Sequence, residues 1–301
     1  MSKEKAAYYL EIYQREHVEN GLSYSKIREK YNIPRGTWDY YIRKTLGNSC
    51  DLRKKRAIDD FFDVIDSEIK SYLLGFLYGD GYISKEGRVG ILLQEDDIEI
   101  LNLIRENIAP NSSIRHTNCQ LGVKYKRKPQ VLIRFRSKRI YERLVEFGFT
   151  TNKTFIESNV FDYIPEKFKK DFIRGFCDAD GSIVFKKAFR NGKEESYYKT
   201  AFSMCKGNKR TLQDIFMYFK EKNIDIDSVK EKKGSKNMFY SLETYKIFTT
   251  YQIVKLLYED ANFYLKRKYN KAMSIINYHK DRDIIHINTE LTSETKESEA
   301  V

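Results

Sequence analysis

Apolar and polar positions change period repeatedly along the chain, and each change marks an element. Residues 3–20 place Ala6, Tyr9, Leu10, Tyr13 and His17 on one helical face, and Asn20-Gly21 ends that helix. A second helix is predicted over 23–31. Asn32 to Gly36 then makes a tight turn, and Thr37 caps a third helix whose inward face holds Trp38, Tyr41, Ile42 and Thr45. From residue 67 the pattern predicts a helix (67–79), strands (82–85, 88–93), a helix (96–108), strands (113–117, 131–136) and a helix (138–147). The same order returns as a helix (166–179), strands (182–187, 196–205), a helix (208–222), strands (226–232, 238–244) and a helix (246–258). A repeat of about 100 residues is too long for a solenoid unit and fits a duplicated α/β half-domain.

Alternation within the strands separates two faces. In VLIRFRS, Val131, Ile133 and Phe135 share one side, while Arg134 and Arg136 take the other. By the same logic Ile183 and Phe185 point inward. Ser84, Arg88, Lys186 and Arg190 then line an open face, with Arg115, Lys199, Lys230 and Lys232 as further candidates. A sheet with helices on one side and basic residues on the other calls for a polyanionic ligand, and strand ribbons of this kind can enter a major groove.

Charge points the same way. The 301 residues carry 55 Lys plus Arg against 43 Asp plus Glu, a net +12, and their 23 Tyr and 19 Phe often stand beside basic residues. Cys50, Cys119, Cys177 and Cys205 show no metal-ligand spacing and read as free thiols in a reducing compartment, so an intracellular protein is expected: cytoplasm or nucleoid, organelle, or phage-infected cell. The scattered His17, His116, His279 and His286 argue against zinc chemistry, and neither a signal peptide nor a membrane span is expected. The three N-terminal helices look like a helix-turn-helix module, with Arg35, Thr37, Tyr40, Arg43 and Lys44 turned toward a groove.

Two segments dominate the chemistry. LLGFLYGDG at 73–81 and IRGFCDADG at 173–181 are glycine-punctuated apolar helices ending in Asp-Gly, which makes Asp80 and Asp180 equivalent. Gly75 with Gly79 and Gly175 with Ala179 clear a stripe along which two helix backbones can approach. If the helices pack about a pseudo-twofold axis, the aspartates converge, and their repulsion calls for a divalent cation between them.

The paired segments resemble the motifs of the LAGLIDADG homing endonucleases in their single-chain, two-motif form. The resemblance implies an α+β fold of two pseudo-symmetric αββαββα half-domains packed through the motif helices, forming a saddle-shaped sheet surface after a small all-α module. The expected boundaries are 1–50 for that module, 51–66 for a basic linker, 67–164 and 165–286 for the half-domains, and 287–301 for a polar tail. The family's chemistry implies Mg²⁺, with Mn²⁺ as a substitute, held by Asp80 and Asp180 beside Gly79 and Ala179. It also implies lysines and polar strand-end residues that hold attacking water: Lys153 after the first half, Lys266 or Lys268 after the second, and Gln94 with Lys206 at strand ends. The sequence does not choose between Lys266 and Lys268. Tyr78 stands where the second motif has Asp178, a position not expected to bind metal. The activity implied is double-strand cleavage of a long pseudo-symmetric DNA site by a monomer. The alternatives are a DNA-binding regulator on a retired scaffold, and an intron-splicing cofactor with RNA as partner.

Overall fold

The computed structural model describes residues 3–46, 57–84, 86–117, 128–149, 160–189, 196–206, 209–233 and 238–281. The linker residues 51–56 and the tail 287–301 lie outside them. The fold is mixed α+β, with two four-stranded antiparallel sheets and a set of N-terminal helices. Two compact units make up the chain: residues 1–61 with 83–142, and residues 62–82 with 143–301.

In the first unit α1 (Lys3–Ile12) passes into a π-helical stretch (Tyr13–Glu19), followed by α2 (Tyr24–Lys30) and α3 (Arg35–Leu46). The inward residues of the first stretch are therefore Ile12 and Glu16, while Tyr9, Leu10, Tyr13 and His17 are only half-buried. Ile12 joins Ile27, Ile33, Trp38 and Ile42 in one core cluster. Ser23 caps α2 by accepting from the Lys26 N–H at 3.4 Å. Thr37 is not a cap, contrary to expectation. The Pro34 carbonyl accepts from the Trp38 N–H at 3.0 Å, so the helix already begins at Arg35. Thr45 faces solvent and bonds back to the Tyr41 carbonyl at 2.8 Å, rather than joining the core.

The sheet of this unit runs β1 (Tyr82–Ser84), β2 (Arg88–Gln94), β4 (Gln130–Arg136), β3 (Arg115–Thr117) in space, with α5 (Ile98–Asn107) against it. Val89, Ile91, Val131, Ile133 and Phe135 are buried on the helix side with Ile100, Leu101 and Ile104. Burial of each such side chain contributes about 1.5–3 kcal/mol. α6 (Lys138–Glu146) follows β4.

The second unit holds both motif helices, α4 (Glu68–Asp80) and α7 (Lys169–Asp180). Its sheet runs β5 (Ser182–Phe189), β6 (Ser196–Lys206), β8 (Met238–Thr244), β7 (Lys230–Lys233), with helices α8 (Arg210–Glu221) and α9 (Ile247–Tyr258). The strand expected at 226–232 starts only at Lys230. Ile224 and Ile226 are buried in the turn that ends α8, where Asn223 adopts φ 57° and the Ile224 N–H returns to the Phe219 carbonyl. A further helix, α10, spans 266–281 and buries Ala272, Ile275 and Ile276.

Candidate metal centre and nucleic-acid interface

α4 and α7 run side by side with glycine meeting backbone. A Cβ on Gly75 would run into the Phe172 carbonyl oxygen, one on Gly175 into the Tyr72 carbonyl oxygen, and one on Gly79 into the Cβ of Ala179. The pairing is reciprocal, as a pseudo-twofold arrangement requires. Both helices end alike, since the Gly81 N–H donates to the Leu77 carbonyl at 3.0 Å and the Gly181 N–H to the Cys177 carbonyl at 2.8 Å. Asp80 and Asp180 are thus the last residues of abutting helices, both exposed, while the nine residues before Asp80 are buried. The Asp180 backbone nitrogen lies 3.4 Å from the place of a Gly79 Cβ, so the two ends stand side by side.

Carboxylates at helix C-termini add to the negative end of each helix dipole, and two together repel. Lys206, at the end of β6, meets that field. Its ammonium is buried, donates to the Tyr78 carbonyl at 2.8 Å, and lies 3.4 Å from Asp180 Oδ2. It also sits over the rings of Tyr78 (4.5 Å) and Phe176 (5.0 Å). Burial lowers its pKa, and the charges of Asp180 and Asp80 oppose that shift.

Lys268 is the lysine of YLKRKYNK that reaches the motif end, whereas Lys266 is exposed at the start of α10. Its ammonium donates to the carbonyls of Cys177 (2.5 Å), Asp178 (2.7 Å) and Gly181 (2.7 Å). An ammonium has three donors, and these bonds use them all.

Asp178 is buried and does not face the aspartate pair's solvent side. Its Oδ2 accepts from the Tyr72 hydroxyl (2.9 Å) and the Leu265 N–H (2.8 Å), and its Oδ1 from the Tyr258 hydroxyl (2.8 Å). Burial pushes its pKa up to about 6 against those donors. At the equivalent position the Tyr78 hydroxyl shares a 2.7 Å hydrogen bond with Thr211. This buried network was not legible in the sequence, because its partners lie about 80 to 130 residues away.

The aspartates offer only oxygen donors, with Gly79 and Ala179 in the same last turns, which suits a hard divalent cation such as Mg²⁺ or Mn²⁺. Among the described residues no group of three or more His, Cys, Asp or Glu gathers as a metal cluster. Backbone oxygens, water or substrate phosphate would therefore complete the shell.

The sheet registers set the basic candidates on one face of each sheet. Arg88 pairs directly with Arg136 across β2 and β4, with Gly90 opposite Arg134 and Leu92 opposite Leu132, which also faces Arg115. Arg88, Arg115, Arg134 and Arg136 are all exposed, and Gln94 is exposed at the end of β2 opposite Gln130. Ser84 is half-buried and donates to Glu86. In the second sheet Lys186 pairs directly with Lys199, both exposed. Lys230 is exposed, and Lys232 is held by Glu243 at 2.6 and 2.7 Å. Like charges directly opposite each other destabilise a sheet, and for the Arg88–Arg136 pair the nearby Glu86 carboxylate, lowered in pKa first by the Ser84 hydroxyl and further by both arginines, offsets part of that repulsion. In α3, Arg35 and Tyr40 are exposed and Thr37 is half-buried, with Arg35 3.7 Å from Asp39. Lys153 and Arg190 lie outside the described residues, as do the side chains of Arg43 and Lys44.

No family model matches the chain. It is 28% identical over 188 residues to the uncharacterized protein MJ0314 of Methanocaldococcus jannaschii, covering 60% of this chain and 66%, just under two thirds, of that protein. Similar solved structures include the I-SmaMI LAGLIDADG homing endonuclease bound to cleaved DNA, at TM-score 0.47 and 11% identity, over 69% of this chain and 87% of that one. I-LtrWI, a LAGLIDADG homing endonuclease bound to target DNA, matches at TM-score 0.46 and 10% identity, over 71% and 91%. The LAGLIDADG meganuclease I-AabMI, bound to uncleaved DNA, matches at 0.43 and 12%, over 72% and 91%. Among the described residues no helix is long and apolar enough to cross a membrane.

Proposed function

We propose that the chain is a Mg²⁺-dependent endonuclease that cuts both strands of a long, pseudo-symmetric DNA site as a monomer. One observation carries the reading. Asp80 and Asp180 end two helices whose reciprocal glycine contacts hold their backbones together, so two exposed carboxylates at two helix C-termini offer more negative charge than the one Lys206 ammonium beside them carries, and a divalent cation would offset the remainder. A divalent ion bound there would supply Lewis-acid stabilisation of the scissile phosphate and the leaving 3′ oxygen.

The chain's own residues do the rest. Asp80 and Asp180 orient water and phosphate at the two helix ends, Lys206 offsets negative charge beside them, and Lys268 fixes the backbone turn that follows Asp180. The exposed arginines and lysines of the two sheet faces neutralise DNA phosphates and reach base edges. The α2–turn–α3 segment presents Arg35, Thr37 and Tyr40 to a groove.

The test uses DNA of the uninterrupted locus in which the gene resides. Cleavage is expected in Mg²⁺ or Mn²⁺, binding with little cleavage in Ca²⁺, and no cleavage in EDTA. Asp80→Asn with Asp180→Asn together should abolish cutting while DNA affinity stays within about tenfold, because size is kept and only the charge that holds metal is lost. Wild-type protein that binds this DNA tightly and never cuts it in Mg²⁺ would replace the endonuclease with a DNA-binding regulator.

A further inference from the structure

We infer that Lys206 is a resident counter-ion for the joined helix ends: its ammonium holds the Asp80–Asp180 pair in place before any divalent cation arrives. One side chain touches both helices, donating to the Tyr78 carbonyl of α4 and facing the carboxylate that ends α7. It is inserted from a third element, β6, and walled by the Tyr78 and Phe176 rings, so water does not screen it well. An ammonium that deep is retained only where it meets negative charge, and two carboxylates with two helix C-termini supply it.

The fit to Asp180 is loose. At 3.4 Å the contact is longer than a tight charge-assisted bond of about 2.8 Å, and the Asp180 side chain keeps 38% of its surface exposed. Lys206 therefore compensates the carboxylate without consuming it, and Asp180 remains able to turn a lone pair outward. Lys268 is the contrasting case. All its donors are spent on carbonyls around the end of α7, so it is a positioning residue for Gly181 and Asp180 rather than a group that meets phosphate or water. The inference deepens the metal-centre reading and rests on it only for the role of the divalent ion.

The experiment is a thermal melt of the whole chain in EDTA and in Ca²⁺, without DNA. In EDTA, Lys206→Met should lower the melting temperature by roughly 5 °C, because the Asp180 carboxylate loses the ammonium that faces it. Lys206→Arg should keep most of the wild-type value. Adding Asp180→Asn to Lys206→Met should restore it in EDTA, an outcome that lost packing alone does not produce, and it keeps the test alive if the single variant does not fold. Ca²⁺ should raise the Lys206→Met melting temperature more than that of the wild type, since the added cation supplies what the lysine no longer does. The inference is overturned if Lys206→Met melts with the wild type in EDTA, or if Asp180→Asn fails to rescue it. Rescue by Asp180→Asn with no response to Ca²⁺ would leave the counter-ion standing and remove the divalent-cation reading of the site.

Discussion

Gly175→Ala is the sharpest probe of how the motif helices meet. In an isolated helix the change is favourable, because alanine is about 1 kcal/mol better than glycine. Here the new Cβ would run into the Tyr72 carbonyl oxygen, with the Tyr72 carbonyl carbon and the Phe76 nitrogen each 2.9 Å away. All three neighbours are backbone, so no rotamer change relieves the clash and the helices must separate. Separation by even 0.5–1 Å forfeits about a quarter to a half of each dispersion contact along the seam. That seam includes the fully buried Tyr72, Phe76, Phe172 and Phe176. Overpacking costs about 3 kcal/mol at the top of its usual range, which leaves a net loss of about 2 kcal/mol after the propensity gain. The melting temperature followed by circular dichroism should fall by roughly 4–8 °C. Gly36→Ala is the control. Its Cβ would meet nothing within 4 Å on α3, so it should leave stability unchanged or raise it slightly. If Gly175→Ala melts with the wild type, the helices do not touch through their backbones, and the convergence of Asp80 and Asp180 loses its mechanical basis.

Three other outcomes are expected. Glu16 is held well below the usual carboxylate range, at about 2, first by its bond from Lys30 and then by that from Tyr31. Its stabilising contribution is therefore fully present above the unfolded value of 4.5 and lost as pH falls toward 2. Trp38 is the single tryptophan and lies in the same helical cluster, so its emission should report this acid transition, and Glu16→Gln should flatten it. Lys186→Ala, at an exposed position, should weaken DNA binding and lower the salt slope by about 1 with the melting temperature kept; unchanged affinity and an unchanged salt slope would refute the interface. Tyr258→Phe removes the donor to Asp178 Oδ1 inside the core and should cost about 1–3 kcal/mol in a urea titration; an unchanged midpoint would show that water replaces the hydroxyl.

Patterns of local origin were readable before any coordinates. The helix ends at Asp80 and Asp180, the strand alternation of β4, and the strand at 238–244 all follow from spacing within a few residues. Where distant partners decide, the sequence was silent or misleading. Ile226 reads as the first residue of a strand because a buried isoleucine looks the same in a sheet as in a turn, yet with Ile224 it lies in the turn that closes α8. Thr37 has the right chemistry for a cap, but the register of α3 is set by Pro34 three residues earlier. Lys266 and Lys268 could not be ranked by spacing alone. Their difference is that Lys268 is buried, with its ammonium on three carbonyls at the end of α7, about 90 residues upstream, while Lys266 is an exposed residue.

The unlike residues at positions 78 and 178 bear on how such a chain can recombine. Two copies of the first motif would put a tyrosine where Asp178 now takes two tyrosyl hydroxyls and the Leu265 N–H, replacing two carboxylate oxygens by one hydroxyl for three buried donors. Two copies of the second would replace the Tyr78 ring, packed against Phe149, Phe172 and Phe176 and beneath the Lys206 ammonium, by a shorter carboxylate, emptying that packed volume and drawing Lys206 away from Asp180. Neither half can serve as its own mate. Chimeras between relatives should therefore be viable only when residues 68–80 travel together with the segment from 149 to 268 that receives them, and a split chain should reassemble as unlike fragments rather than as paired copies of either one.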